Sequence, residues 1–175
     1  MSKNLIVYFS RNGENYVDGH IVDLKKGNTE VIAKMIHKMI DSDIFQVKTV
    51  REFSKDYHQC TLEAKQELEN NARPKILDYV HQFDKYDHII ICYPNWWSTM
   101  PMALFTFLEC HHTVEKHIYP LCTHEGSGMG NSVRDIQKLC PNAIIHNGLA
   151  IRGSQVSQAE NKVKEWLKEL GGEKE

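Results

Sequence analysis

Unbroken apolar runs alternate along this chain with stripes of helical period. Leu5-Ile-Val-Tyr-Phe9 and Ile89-Ile-Ile-Cys-Tyr93 show no polar–apolar alternation. Such runs fit strands buried on both faces, as in a parallel sheet covered by helices. Ile118–Cys122 and Ala143–Ile151 supply two more strands, and the alternating stretch Ile44–Val50 reads as an outer strand. Between them, Val31, Ile32, Met35, Ile36, Met39 and Ile40 form a helical stripe. Asn28 or Thr29 is its N-cap, and Glu30 suits the dipole of its first turn. Lys55–Asn71 carries a weaker stripe of Tyr57, Thr61, Ala64 and Leu68, broken by Arg73-Pro74. Ile76–Tyr86 is ambiguous and fits a short helical turn. Leu104, Phe105, Phe107 and Leu108 mark a largely buried helix over Met102–Cys110. Val133, Ile136, Leu139 and Cys140 mark another, bounded by Pro141. Ser157-Gln-Ala-Glu160 reads as a capping box for the last helix. That helix buries Ala159, Val163, Trp166, Leu167 and Leu170 and ends at Gly171-Gly172. Strand and helix alternate five times. The pattern predicts an α/β fold, a doubly wound five-stranded parallel sheet in the order 2-1-3-4-5 with helices on both faces, forming one domain over residues 1–175.

Composition narrows the field. A chain of 175 residues can bury a real core. With 21 Lys and Arg against 23 Asp and Glu, the net charge is −2, so there is no basic footprint for nucleic acid. The five cysteines (60, 92, 110, 122, 140) form no C-x-x-C pair, which argues for a reducing compartment. The ten histidines have no metal-ligand spacing, and no metal is expected. No apolar run approaches membrane-spanning length, and Met-Ser-Lys-Asn leads straight into a strand. A cytoplasmic protein with no membrane partner is the expectation.

Candidate chemistry gathers in three loops after strands. Ser10–Thr29 is rich in hydroxyl, amide and glycine residues and precedes a helix N-terminus, a place suited to phosphate. It contains a polar insert, Tyr16–Gly27, which is the one irregular piece of notable length. Val17, Ile21, Val22 and Leu24 within it imply order. Neither G-x-G-x-x-G nor G-x-x-x-x-G-K-[ST] is present, which weighs against dinucleotides and nucleoside triphosphates. Pro94–Met100 holds Trp96 and Trp97 at the end of a central strand, where open α/β sheets bind ligands. Core filling is the alternative for both rings, while Trp166 belongs to a buried stripe. Thr123–Gly130 alternates Gly126, Gly128 and Gly130, which lets backbone approach a ligand closely. Ser127 lacks the G-x-S-x-G pattern of a nucleophile.

One phosphate site, one double-aromatic loop and one glycine-rich loop ask for a ligand with a single phosphate and a large flat ring. FMN fits. Tyr8-Phe-Ser-Arg-Asn-Gly13 with Gly27-Asn-Thr-Glu30, then Tyr93-Pro-Asn-Trp-Trp-Ser-Thr-Met-Pro101, then Thr123-His-Glu-Gly-Ser-Gly128 with Ser132-Val-Arg-Asp135, resemble the loops of the flavodoxin-like family. The resemblance implies that Ser10, Arg11, Asn12, Asn15, Asn28 and Thr29 hold the FMN phosphate. It implies that Pro94, Asn95, Trp96, Trp97 and Ser98 border the ring, and that Thr123, Glu125, Gly126 and Ser127 close its other side. The insert separates the phosphate residues, Arg11 adds a cation, and the third loop lacks the aromatic found in many relatives. Glu125 alone offers a nearby carboxylate, and it reads as a solvated loop charge. A phosphoacceptor receiver domain shares the topology but needs acids where Cys92-Tyr93 and Ser10-Arg11 stand.

Two functions use such a site. The weak net charge and unshielded third loop favour an oxidoreductase passing electrons or hydride through FMN to a quinone-like or other small acceptor, with NAD(P)H as a donor. A flavodoxin-type electron carrier serving a redox partner protein is the alternative. Trp96 or Trp97 covers one ring face, and the other is left for a small molecule or for the second subunit of a homodimer; a dedicated carrier shields both faces, so the open face speaks for the first function.

Overall fold

A computed structural model describes residues 3–171. The chain runs β1 (Asn4–Tyr8), β2 (Gly13–Val17), β3 (His20–Leu24), α1 (Asn28–Met39), β4 (Asp43–Gln46), α2 (Tyr57–Glu69), β5 (His88–Pro94), α3 (Met102–Glu109), β6 (His117–His124), α4 (Ser132–Leu139), β7 (Ile144–Ile145), β8 (Leu149–Arg152) and α5 (Glu160–Leu167). The main sheet has the order β4-β1-β5-β6-β7, with β8 also paired to β6, and every pairing in it is parallel.

The unbroken apolar runs have a direct cause: successive side chains of a strand enter opposite cores. Leu5, Val7 and Phe9, with Ile89, Ile91 and Tyr93, pack beneath α3 and α4. Ile6, Tyr8, Ile90 and Cys92 pack beneath α1 and α5, against Ile32, Ile36 and Val163. Each fully buried aliphatic side chain contributes about 1.5–3 kcal/mol of transfer free energy, and a polar group enters these faces only with a partner, as the Tyr93 hydroxyl does by donating to Ser132 at 2.8 Å.

Four expectations change. The sheet has six strands, because Ala143–Ile151 is split into β7 and β8. Between them the Asn147 carbonyl turns to accept the Trp166 indole N–H at 2.9 Å, and the chain re-joins β6 further along. The outer strand is shorter than Ile44–Val50: beyond Val47, whose N–H still reaches the Tyr8 carbonyl, the chain leaves the sheet for a bridge between Thr49 and Ile76. The Ser157 capping box does not form. The chain is already coiled as a 3-10 turn over Gly153–Gln158, so Ser157 lies inside a turn and Ala159 precedes α5 without a side-chain cap. The N-cap of α1 is Gly27, not Asn28 or Thr29. A 3-10 turn at Phe83–Lys85 resolves the ambiguous stretch, Trp166 is buried, and Gly172 lies outside the described residues.

At the amino edge of the sheet, His88 opens β5, His117 opens β6 and His146 follows β7. The His117 and His146 rings share a 2.8 Å nitrogen–nitrogen hydrogen bond, and the His88 ring lies 5.0 Å from that of His117. Burial lowers the pKa values of His88 and His146, and the neighbouring His117 lowers them further. Burial also lowers His111, whose Nε2 accepts from the Val80 N–H. Unfolded histidines titrate near ~6.5, so below that pH the unfolded chain binds more protons than the folded one. The stability these groups contribute is complete above that value and is lost as pH falls through the lowered folded pKa values. The urea midpoint is therefore expected to hold level above about pH 7 and to fall between about pH 6.5 and 5, with a shallower fall in His146→Gln. A midpoint indifferent to pH across that window contradicts the arrangement.

Candidate functional site

The loops after β1, β5 and β6 open at one edge of the sheet around a cleft of about 560 Å³. Parallel pairing brings them there, and backbone and side-chain bonds lock them together. The Asn95 N–H donates to the Thr123 carbonyl at 2.8 Å, and the Asn95 side chain donates to the Gly128 carbonyl at 2.9 Å. Thr29, fully buried, shares a 2.8 Å hydroxyl–hydroxyl bond with Thr123.

The insert in the first loop is a β-hairpin, not an irregular stretch. β2 and β3 pair antiparallel around Asp18-Gly19, with φ of 49° and 84°. A two-residue turn with both positions left-handed matches the twist of its strands, and Asp-Gly is its usual sequence. That pair was the overlooked signal. Because Gly13 pairs with Leu24, the hairpin leaves and returns at one place. The split halves of the loop therefore meet: a Cβ on Gly27 would lie 2.5 Å from the Arg11 carbonyl oxygen. The Ser10 hydroxyl then accepts the Glu30 N–H at 3.1 Å, capping α1 from twenty residues upstream.

Arg11 reaches away from solvent. Its guanidinium donates to the carbonyls of Glu14, Ser54 (2.7 Å) and Lys55 (2.9 Å). It anchors the hairpin to the segment before α2 while keeping its charge at the cleft. The Glu14 carboxylate accepts the Tyr57 N–H at 2.8 Å, and the Tyr16 and Tyr57 rings stack at 6.2 Å. On the far side, Glu125 accepts the Asp18 N–H at 3.2 Å and the Ser154 N–H at 3.0 Å. Its side chain is only 14% exposed and lies 3.9 Å from Arg152, so the expected solvated charge is instead a tie between hairpin, third loop and the turn before α5.

The tryptophans divide their roles. Trp96 packs edge-on against Phe9 (5.1 Å) and Phe53 (5.0 Å) and so belongs to the core as well as to the cleft. Trp97 is 47% exposed; its indole N–H donates to the Thr61 carbonyl at 2.9 Å and Lys65 lies over its ring at 5.4 Å. Trp97 and Ser98 both have positive φ, 54° and 68°, an unfavourable choice for side-chain-bearing residues. The turn is held by reciprocal bonds between Trp96 and Thr99, by Asn95 Oδ1 accepting the Ser98 N–H, and by the Asn131 N–H donating to the Ser98 carbonyl. Gly130 is required here, since a Cβ would meet the Ser98 Cα at 2.9 Å.

Of the expected residues, Ser10, Arg11, Asn15, Asn28, Thr29, Pro94, Asn95, Trp96, Trp97, Ser98, Thr123, Glu125 and Ser127 line the cleft. Asn12 and Gly126 do not. Asn12 is exposed at the foot of the hairpin, and the Gly126 N–H turns back to His124 Nδ1 at 2.9 Å. Tyr16, His124 and Gly153 line it unforeseen, as do Tyr57, Cys60, Thr61 and Ala64 of α2. The α2 stripe was visible in the sequence, which does not tell what that stripe faces. Burial pushes the Cys60 thiol up to about 11, so it stays protonated at neutral pH and is no nucleophile. Burial likewise raises Tyr57 and lowers His124.

No relative among curated proteins matches this chain. Among solved structures, a protein of Bacteroides eggerthii classed with the flavoproteins superposes with a TM-score of 0.79 at 23% identity, covering 99% of this chain and 100% of its own. A flavoprotein of Lactobacillus acidophilus, solved in complex with FMN, gives 0.66 at 20% identity, covering 95% and 99%. An NAD(P)H:quinone oxidoreductase of Methanothermobacter marburgensis gives 0.55 at 11% identity, covering 100% and 99%. At such identities the likeness is one of fold. The sequence model of the flavodoxin family matches residues 22–170, which takes in the second and third loops and, of the first loop, only the end that holds Asn28 and Thr29. By that match this chain belongs to the flavodoxin family.

Proposed function

We propose that the cleft binds FMN and that the protein is an FMN-dependent oxidoreductase passing electrons or hydride to a quinone-like or other small acceptor. The observation that carries this reading is the convergence of a helix N-terminus and an aromatic turn on one cleft. Ser10 takes the Glu30 N–H and the Gly27 carbonyl takes that of Val31. Among the described residues, the N–H groups of Asn28 and Thr29 remain for an anion, where the dipole of α1 favours it. Ser10, Asn15, Asn28 and Thr29 are assigned to the phosphate, with Arg11 contributing charge rather than a free fork. Pro94, Asn95, Trp96, Trp97 and Ser98 are assigned to one border of the ring, and Thr123, Glu125 and Ser127 to the other. Asn12 and Gly126 drop from the assignment because neither lines the cleft. Gly153 suits a close-packed cradle: a Cβ there would lie 2.5 Å from both the Asn28 amide and the Glu125 carboxylate.

Bound FMN supplies a ring that exchanges hydride or single electrons, chemistry the side chains lack. The chain's own part is to orient and to exclude water. Cys60 and Tyr57 remain neutral at physiological pH, so the α2 wall holds the ligand without exchanging protons. The wall formed by Tyr16, Tyr57, Thr61 and Ala64 extends the cleft beyond the three loops, which favours room for a small acceptor. The acceptor then stacks on the ring within van der Waals contact. Trp97, 47% exposed at the same cleft, favours a second reading as an electron carrier, because another protein can reach it. Both readings keep one domain spanning 1–175, and a homodimer remains compatible with either.

Two measurements test this. Ser10→Ala should weaken FMN about tenfold or more without unfolding the protein, since a lost bond to a charged group costs ~1.5–3 kcal/mol, and Thr29→Ala should weaken it by removing the hydroxyl that ties the first loop to Thr123 of the third. Gly27→Ala should do the same by forcing the loop halves apart, and riboflavin should bind far more weakly than FMN. Equal affinity for the two ligands contradicts the phosphate assignment. Separately, the holoprotein should oxidise NAD(P)H with a quinone in steady state. Reduction without turnover selects the carrier.

A further inference from the structure

A second groove lies between α1 and α5, on the face away from α2 and α3, with a volume of about 870 Å³. Its floor is apolar: Val31, Met35, Met39 and Ile40 of α1 and the segment after it, with Leu167 of α5. The α1 side chains are half-buried and pack on the core below, so they present apolar surface upward. Its rim is cationic. Lys26, Lys34, Lys38, Lys164 and Lys168 surround the floor, all exposed, and Glu160 is the one acid among the lining residues. The net charge of the whole chain is −2, so this concentration of lysine is a local feature and not a reflection of a basic protein.

We propose that the α1–α5 groove is a docking site for an acidic, amphipathic segment of a partner protein. Charge complementarity selects the acidic class, and the apolar floor requires a segment with one apolar face, in the manner of a helix laid in a groove. Two methionines on the floor suit this use, because unbranched thioether side chains repack around different apolar shapes. Three lysines already hold intrahelical carboxylates: Lys34 with Glu30 at 2.6 Å, Lys164 with Glu160 at 3.0 Å and Lys168 with Glu165 at 2.7 Å. The pairs of Lys164 and Lys168 are exposed and weak, so an incoming carboxylate can replace the local partner there at little cost, while Glu30, 19% exposed, keeps Lys34. Lys26 and Lys38 add charge at the two ends of α1. The groove also begins beside the cleft. Lys26 adjoins Gly27, and Ser157 follows the cleft residue Gly153 by four positions. A docked partner would therefore sit next to the first loop. The inference does not depend on which ligand fills that cleft.

The test uses the full chain and two labelled synthetic helical peptides, each with leucine on one face and either glutamate or lysine on the other. Anisotropy should show the glutamate peptide binding at least about tenfold more tightly than the lysine peptide, with an affinity that falls as salt rises. Lys38→Glu combined with Lys168→Glu should weaken it about tenfold or more, and Met35→Gln with Met39→Gln should weaken it without altering the salt dependence. Circular dichroism checks that both variants fold. Equal binding of the two peptides, or no binding of either, overturns the proposal. So does binding to phosphatidylglycerol-rich vesicles without binding to the glutamate peptide, which would make the groove a membrane-facing surface.

Discussion

The closeness of Gly27 to the Ser10-Arg11 backbone is the constraint on which the cleft depends. The chain leaves β1, makes an excursion as the hairpin Gly13–Leu24, and must return to start α1 at the same place. Only a residue without a Cβ fits where the two halves meet. Once they meet, the Ser10 hydroxyl caps α1 across a long sequence separation. The hairpin is thus an ornament on a closed loop and not an interruption of it. Its own ends are secured independently, by Arg11 and Glu14 towards α2 and by Glu125 towards the third loop.

The aromatic turn works by a different balance. Two successive residues with left-handed backbone cost about 1–3 kcal/mol each, and such strain persists only where surroundings over-determine it. Here the surroundings are Asn95, Asn131 and the glycine-only approach of Gly130. The result is that Trp96 turns inward to the core while its neighbour Trp97 stays at the surface. A single strand end thereby supplies both a rigid support and an accessible ring. The third loop contributes to the same turn through Gly130 and Asn131, so the second and third loops are one structural unit.

Much of the fold was legible because burial on both faces leaves an unmistakable trace. Leu5–Phe9 and Ile89–Tyr93 read as central strands for that reason, and α1 reads correctly from its stripe; α5 does so only to Leu167, beyond which the chain tightens into a 3-10 turn over Lys168–Gly171 instead of continuing as helix to Gly171. Ala143–Ile151 misled because apolar residues flank His146-Asn147-Gly148 on both sides and read as one run; the polar Asn-Gly step is the break itself, where the Asn147 carbonyl accepts the Trp166 indole N–H. Ser157 misled because a capping signature carries no information about a turn that has already begun. At the site, the glycine and tryptophan loops were legible from local chemistry. The α2 wall was not, since a helical stripe does not say whether it faces a core or a cleft. Glu125 likewise looks solvent-facing in sequence, and its three partners come from distant segments.

The central claim is that the first loop and the aromatic turn hold opposite ends of one phosphate-bearing flat ligand. Backbone amide NMR during titration tests it most directly. Addition of FMN should shift the amides of Asn28 and Thr29 together with those of Trp97 and Ser98, whereas riboflavin should move the second pair and leave the first pair largely in place. Shifts confined to residues outside these loops, or identical responses to both ligands at Asn28 and Thr29, would contradict it.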